Sequence, residues 1–420
     1  MQLFACIDAA KMPNILEVLA AEGIQHACLF SGKEAEDYGA VAPWIAEIPP
    51  NERILDKLFS VNPEMSALWQ FDGAIFFQST ANFDGMRSHL RRLTKVPRVD
   101  NKSVFFRFWD PLVAHWYFSE IADWPDRLSS LLVSRHATVS RIIVPRGTTK
   151  SARIFDLSMP AGHIPSSRSL RLEERDLKIL RDLQWFRLEH DLCAWMTRFD
   201  PVRFRGFDQA RLARISKHAI REGRAFGLRY QEEFAYLLYV MTFLGGWFHR
   251  APQFSCFSEL FADPSDERFT NLTREFPDRH KKFFGHLGDP SVQMKHLQSW
   301  TEKIIAEAGS WDKLDAGHLN MMSTEIARRL GWGEEQYRIV EADAAASARD
   351  SGILDDRGIR LHHIIWMTLG PYFLHDPLYP WAEEKYVEAS KKPDAIFKVA
   401  SYGHRRLTRT ISLQRFFANA

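Results

Sequence analysis

FDGAIFFQSTANFDGMRSHLRRLTKVPRVDNKSVFFRFWDPLVAHWYF, residues Phe71 to Phe118, contains two strand-then-helix units in succession. Ala74-Ile75-Phe76-Phe77 is a short apolar run closed by Gln78-Ser79-Thr80, the pattern of a buried strand. Phe83, Met86, Leu90 and Leu93 then recur at i, i+3, i+7 and i+10. This places one apolar stripe on a helix whose other face carries Arg87, Arg91, Arg92 and Lys95. Val104 to Trp109 reads as a second strand. Asp110 is a favoured helix N-cap, and Pro111 suits the first helical position, where its missing N–H has no partner to lose. Leu112, Val113, Trp116, Tyr117 and Ile121 supply the next apolar stripe.

Upstream, Leu3 to Ile7 reads as a first strand ended by Asp8, and Pro13 opens a helix stopped at Gly23. Ala27 to Phe30 and Val41 to Ile48 read as strands, and Asn51 caps a helix through Phe59. Alternation of this kind predicts an α+β or α/β N-terminal lobe with a mostly parallel or mixed sheet and flanking helices over residues 1–135. Arg141 to Pro145 and Ala152 to Asp156, around Gly147-Thr148-Thr149, form a hairpin. Pro160 to Ser169 reads as a linker, so residues 136–169 connect two lobes.

From Leu170 onward the apolar period is helical, predicting an all-α lobe. It contains an internal repeat: Gly227 matches Gly352, Gly245 matches Gly370, Phe248 matches Phe373 and Pro252 matches Pro377, all at one offset. Two related helical units follow, over residues 170–290 and 291–420. The second ends in a basic helix carrying Lys391, Lys392, Lys398, Arg405, Arg406, Arg409 and Arg415.

Arg107-Phe108-Trp109-Asp110-Pro111 resembles the Arg-aromatic-aromatic-Asp-Pro signature of the type VI secretion effector chaperones, or adaptors. Ala42-Pro43-Trp44-Ile45 is similar to that family's Ala-Pro-aromatic-aliphatic segment, and Ser88-His89-Leu90-Arg91-Arg92-Leu93 to its His-Leu-Arg helix. The resemblance covers roughly residues 2 to 130. It implies a cytoplasmic adaptor that binds a toxic effector and helps load it onto the VgrG spike. On this reading Pro43, Trp44, His89, Arg107, Asp110 and Pro111 are structural or partner-binding, and no catalytic residue, cofactor or metal is expected.

Composition agrees with an intracellular binding protein. A net charge of +2 over 420 residues excludes a polyelectrolyte, so no nucleic-acid partner is expected. Cys6, Cys28, Cys193 and Cys256 have no Cys-x-x-Cys spacing and read as free thiols in a reducing compartment. The N-terminus lacks a basic leader and carries Asp8 within its apolar run, unlike a signal peptide. The apolar run Phe234 to Phe248 is shorter than the ~18–20 residues that span a bilayer, so no membrane insertion is expected.

Arg107, Asp110 and His115 would serve a phosphoester- or nucleotide-processing enzyme, or Arg107 and Asp110 form an ion pair that also caps a helix. His362-His363 point about 100° apart on a helix and suit one metal poorly. His375-Asp376-Pro377 reads as turn chemistry at a helix exit. Pro145 to Ser151 lacks the Gly before Lys150 that a phosphate loop needs. The basic tail would suit nucleic acid, or it is an amphipathic helix packing Ile396, Phe397, Val399 and Ala400. Trp247, Phe248, Tyr372, Phe373, Tyr379 and Trp381 line a groove for an apolar peptide, or they are core.

Overall fold

The computed structural model describes residues 1–12, 14–50, 52–59, 72–146, 151–156, 170–201, 203–251, 254–284, 310–329, 331–389 and 394–403. Pro13, Asn51, the 147–149 hairpin tip, the 160–169 linker, Pro252 and every basic tail residue except Lys398 lie outside the described residues. Two compact units divide between Trp185 and Phe186.

In the first unit, strands β1 (Gln2–Asp8), β2 (His26–Cys28), β3 (Pro43–Ile48), β4 (Ala74–Ser79), β7 (Val139–Arg146) and β8 (Ser151–Asp156) form a sheet in the order β2-β3-β1-β4-β7-β8. Strands β5 (Lys95–Pro97) and β6 (Ser103–Phe105) pair separately. Helices α1 (Ile15–Ala21), α2 (Lys33–Tyr38), α3 (Glu52–Phe59), α4 (Phe83–Thr94), α5 (Pro111–Glu120) and α6 (Pro125–Leu132) flank the strands. The fold class is the α+β lobe with flanking helices expected from the sequence.

Neighbouring strands of the sheet are antiparallel, not parallel. The alternation of strand and helix misleads only about adjacency. β1 and β2 run the same way across α1, but β3 lies between them. β3 and β4 run the same way across α3, but β1 lies between them. These two strand–helix–strand units are therefore each split by an inserted strand, whereas β2 and β3, joined through α2, pair directly. The hairpin β7–β8 is the far edge of this sheet, hydrogen-bonded to β4, rather than an element between lobes.

The central strands are buried on both faces, which is why they read as unbroken apolar runs. Phe4, Cys6, Ile45, Ile75 and Phe77 face one core with Met86, Leu90, Val113 and Tyr117 from α4 and α5. Ala5, Ile7, Ala46, Ala74 and Phe76 face another with Ile15 and Leu19 from α1 and Ile54 and Leu58 from α3. All four stripe residues of α4 are buried, as their spacing predicts.

Phe106 to Trp109 is a turn and not the end of a strand. Phe108 N donates to the Phe106 carbonyl at 2.7 Å, and Asp110 N to the Arg107 carbonyl at 3.0 Å. Phe106, Phe108 and Trp109 are all buried in one core, an arrangement that the alternating faces of a strand forbid.

α7 (Glu174–Phe199) begins in the first unit and ends in the second. The second unit is helical: α8 (Gln209–Ala225), α9 (Gln231–Leu244), α10 (Ser255–Ala262), α11 (Arg268–Phe284), α12 (Ala316–Arg329), α13 (Glu334–Asp350), α14 (Asp356–Leu369) and α15 (Pro380–Glu388). Its repeat is visible in the element boundaries. α13 is α8 displaced by 125 residues (334 − 209), and α14 is α9 displaced by the same amount (356 − 231). The 3-10 turns Phe248–Arg250 and Phe373–His375 keep that offset. Residues 395–403 are helical, with Ile396, Val399 and Ala400 buried, so this part of the tail packs as an amphipathic helix.

Candidate functional site

Four of the signature residues, Pro43, Arg107, Asp110 and Pro111, gather near the carboxyl end of β1. Asp8 is buried, and its carboxylate accepts from Arg107 Nη2 at 2.7 Å and from Ala10 N at 3.2 Å. Asp110 is buried too. Its Oδ1 accepts from Leu112 N and Val113 N, the N-cap that its type and place predict, and its Oδ2 meets Lys11 Nζ at 3.1 Å. Pro43 pairs with Asp8 in the β1–β3 register, and the Ala42 carbonyl accepts from Ala9 N at 3.2 Å. Arg107 and Asp110 are therefore crossed, each bound to a charge near the end of β1. Two ion pairs staple the start of α5 to that strand.

His89 and Trp44 make separate contacts of their own. His89 is fully buried beside the Ser134 hydroxyl at 2.8 Å, and burial together with Arg92 pushes its pKa down to about 3. Trp44 Nε1 donates to the Gly39 carbonyl at 2.8 Å. Arg92 donates to the Ser130 and Leu131 carbonyls, capping the carboxyl end of α6. His115 is half-buried in the second turn of α5.

In the second unit the two repeats meet where Gly245 and Gly370 end α9 and α14. Both have positive φ, at 89° and 97°. A Cβ on Gly245 would lie 2.9 Å from the Leu369 carbonyl oxygen, and one on Gly370 would collide with the Leu244 carbonyl oxygen. Equivalent residues touch across this junction: Trp247 and Tyr372 have ring centroids 6.4 Å apart. Tyr372 holds a left-handed backbone at φ 55°, uncommon for an aromatic residue.

Phe248, Phe373 and Trp381 are buried, while Trp247, Tyr372 and Tyr379 are half-buried. Asp376 is buried and accepts from Gly246 N at 2.6 Å and Leu378 N at 2.9 Å, whereas His375 is exposed. Burial raises the Asp376 carboxyl to about 7, although both backbone donors pull the other way. His362 and His363 are buried near Phe373 and Tyr337, and burial lowers them to about 3 and about 4.

One polar cluster belongs to the first repeat alone. Glu222 is buried and receives Arg221 Nε at 2.7 Å and His249 Nε2 at 3.0 Å. His218 Nε2 bonds the Gly246 carbonyl at 2.7 Å, and its Nδ1 faces Arg221 Nη2 at 2.8 Å. Burial lowers both imidazoles below their ordinary value. Burial pushes Glu222 up, but Arg221 and the two histidines bring it below its ordinary value. Trp247 sits between two guanidiniums, with Arg250 4.1 Å and Arg221 5.2 Å from its ring centroid.

Residues 3–125 match the family model described as Domain of unknown function (DUF4123). That family is known in type VI secretion effector-adaptor contexts. The matched stretch contains Asp8, Lys11, Pro43, Trp44, His89, Arg107, Asp110 and Pro111, and the duplicated helical unit lies outside it. No curated protein matches the chain, and no solved structure matches it. Among the described residues, no group of three His, Cys, Asp or Glu side chains is arranged to hold a metal, and no helix is long and apolar enough to cross a membrane. All four cysteines are free thiols.

The expected ion pair between Arg107 and Asp110 gives way to two others, Arg107 with Asp8 and Asp110 with Lys11, partners that the reading of the sequence did not reveal. The signal was a lone acid ending an otherwise apolar strand. Sequence reasoning also missed the Glu222 cluster, whose members stand on two elements and show no motif.

Proposed function

We propose that the chain is a type VI secretion adaptor: it binds a cognate toxic effector in the cytoplasm and assists its loading onto the VgrG spike. The match of residues 3–125 to the DUF4123 model carries this reading. The geometry at the end of β1 supports binding rather than turnover, because Arg107 is engaged by Asp8, and Asp110 by Lys11 and two helix N–H groups. In this account the staple fixes the entry of α5, and the partner meets the surface that the staple holds in shape. The mechanism is reversible association with release at the spike, with no cofactor.

The test is co-purification of the full chain from its native cytoplasm at moderate salt. Recovery of one large protein in stoichiometric amount, with or without a spike protein, is the expected result. Recovery of no protein partner, together with hydrolase activity that Asp110→Ala abolishes in a folded variant, would replace the adaptor with an enzyme.

A further inference from the structure

The internal repeat supplies its own control for which polar residues the helical scaffold requires. At the 125-residue offset, His218, Arg221, Glu222 and His249 stand opposite Asp343, Ala346, Ser347 and Leu374. Equivalent helices and turns form from both sets. The fold therefore does not demand the His–Arg–Glu–His cluster, and a buried carboxylate with a half-buried imidazole is a costly substitute for Ser and Leu.

The cluster's exposed product is a pair of guanidiniums held against one indole. Glu222 and His218 grip Arg221 from beneath and leave its side chain largely exposed, at 62%. Arg250 is exposed and stacked on Trp247, and among the described residues no carboxylate stands within ion-pair reach of it. Stacking on an aromatic face fixes the plane of a guanidinium while leaving its N–H edge open. Less conformational freedom then remains to be lost when that edge binds an anion. A planar fork of this kind matches a carboxylate in two parallel hydrogen bonds.

We propose that the Arg221–Trp247–Arg250 stack is a recognition point for a carboxylate-rich segment of a protein partner. This deepens the adaptor reading and rests on it for the identity of the partner as a protein client. Charge selects the ligand class. Two exposed guanidiniums face solvent, and one of them, Arg221, is bonded to Glu222 at 2.7 Å. The local excess of positive charge is small. It suits one or two carboxylates, whereas a nucleic-acid backbone is held by a longer run of cations.

The probe is a fluorescently labelled polyglutamate peptide titrated into the full chain at low salt, read by anisotropy and by Trp emission. Wild-type chain should bind it. Arg250→Glu should weaken binding at least about tenfold, and Arg250→Lys, which keeps the charge but loses the fork, by less. Arg338→Glu, an exposed charge reversal on α13 in the second repeat, should leave binding unchanged, and circular dichroism should show all variants folded. Peptide binding indifferent to Arg250→Glu and Arg221→Glu, or tighter binding of oligothymidylate than of polyglutamate, would overturn the proposal. A native protein client retained equally by wild type and Arg250→Glu would remove this recognition point while leaving the adaptor reading intact.

Discussion

The first repeat carries His218, Arg221, Glu222 and His249 where the second carries Asp343, Ala346, Ser347 and Leu374, yet α8 and α13 have equivalent boundaries, as do α9 and α14. What the copies share is apolar and conformational: the buried Phe248 and Phe373, and the glycines that let two helix ends approach. What they do not share is the polar cluster. The difference separates residues that build the lobe from residues free to acquire a task. The staple at the end of β1 lies on the building side of that division. Its pairs are Asp8 with Arg107 and Asp110 with Lys11, whereas Arg250 presents an open guanidinium edge.

The comparison breaks most visibly at the shared glycines. Gly370→Ala combines a positive φ with a collision against the Leu244 carbonyl oxygen and should destabilise the chain by on the order of 4 kcal/mol. Gly352→Ala, also at positive φ but with open space around its Cβ, should cost only about 1 kcal/mol. Urea midpoints measure both, and equal losses would show that the glycine contact between repeats carries no special constraint.

Asp376, opposite Ala251 in the first copy, sharpens the comparison through pH. Its ordinary pKa is 3.8 and its folded value about 7. The folded state thus holds this proton more tightly, so the contribution to stability is full below about pH 3.8 and disappears as pH rises through about 7. His362 and His363 act in the opposite sense. Their folded values, about 3 and about 4, lie below 6.5, so their contribution is lost as pH falls below 6.5. Asp376→Asn should therefore gain on wild type as pH rises from about 3.8 to about 7, by at most roughly 1.4 kcal/mol per pH unit, and hold that difference above about pH 7. A pH-independent difference would show that Asp376 does not titrate in this range.

A smaller effect is expected from giving the first copy the second copy's residues. The double variant Glu222→Ser, His249→Leu should change stability by no more than about 1 kcal/mol, because the charge and its partner leave together. Arg221, which Glu222 orients, should then lose part of its grip on polyglutamate. A loss near 3 kcal/mol would place the cluster among the residues that build the lobe.

Local features of this chain were legible in its sequence. The Asp110-Pro111 cap, the α4 stripe, the β7–β8 hairpin and the repeat offset each depend on residues near one another in the chain or on a periodic pattern. Pairings over long separations were not. Arg107 meets Asp8 across 99 residues of chain, and inserted strands separate the β–α–β partners, neither of which has a local signature. Phe106 to Trp109 looks like a strand because aromatic content dominates the pattern, while burial of all three aromatics in one core imposes a turn. Within the proposed groove, Phe248, Phe373 and Trp381 fill the interior, and composition alone does not distinguish an aromatic lining from an aromatic core.

The most direct test of the adaptor account is stoichiometric co-purification of the full-length chain from its native cytoplasm, with wild type and Arg250→Glu compared side by side. The account predicts one large protein client at equimolar yield with wild type and a clear reduction with the variant. Wild-type chain that retains no protein, or retains only nucleic acid, would contradict it.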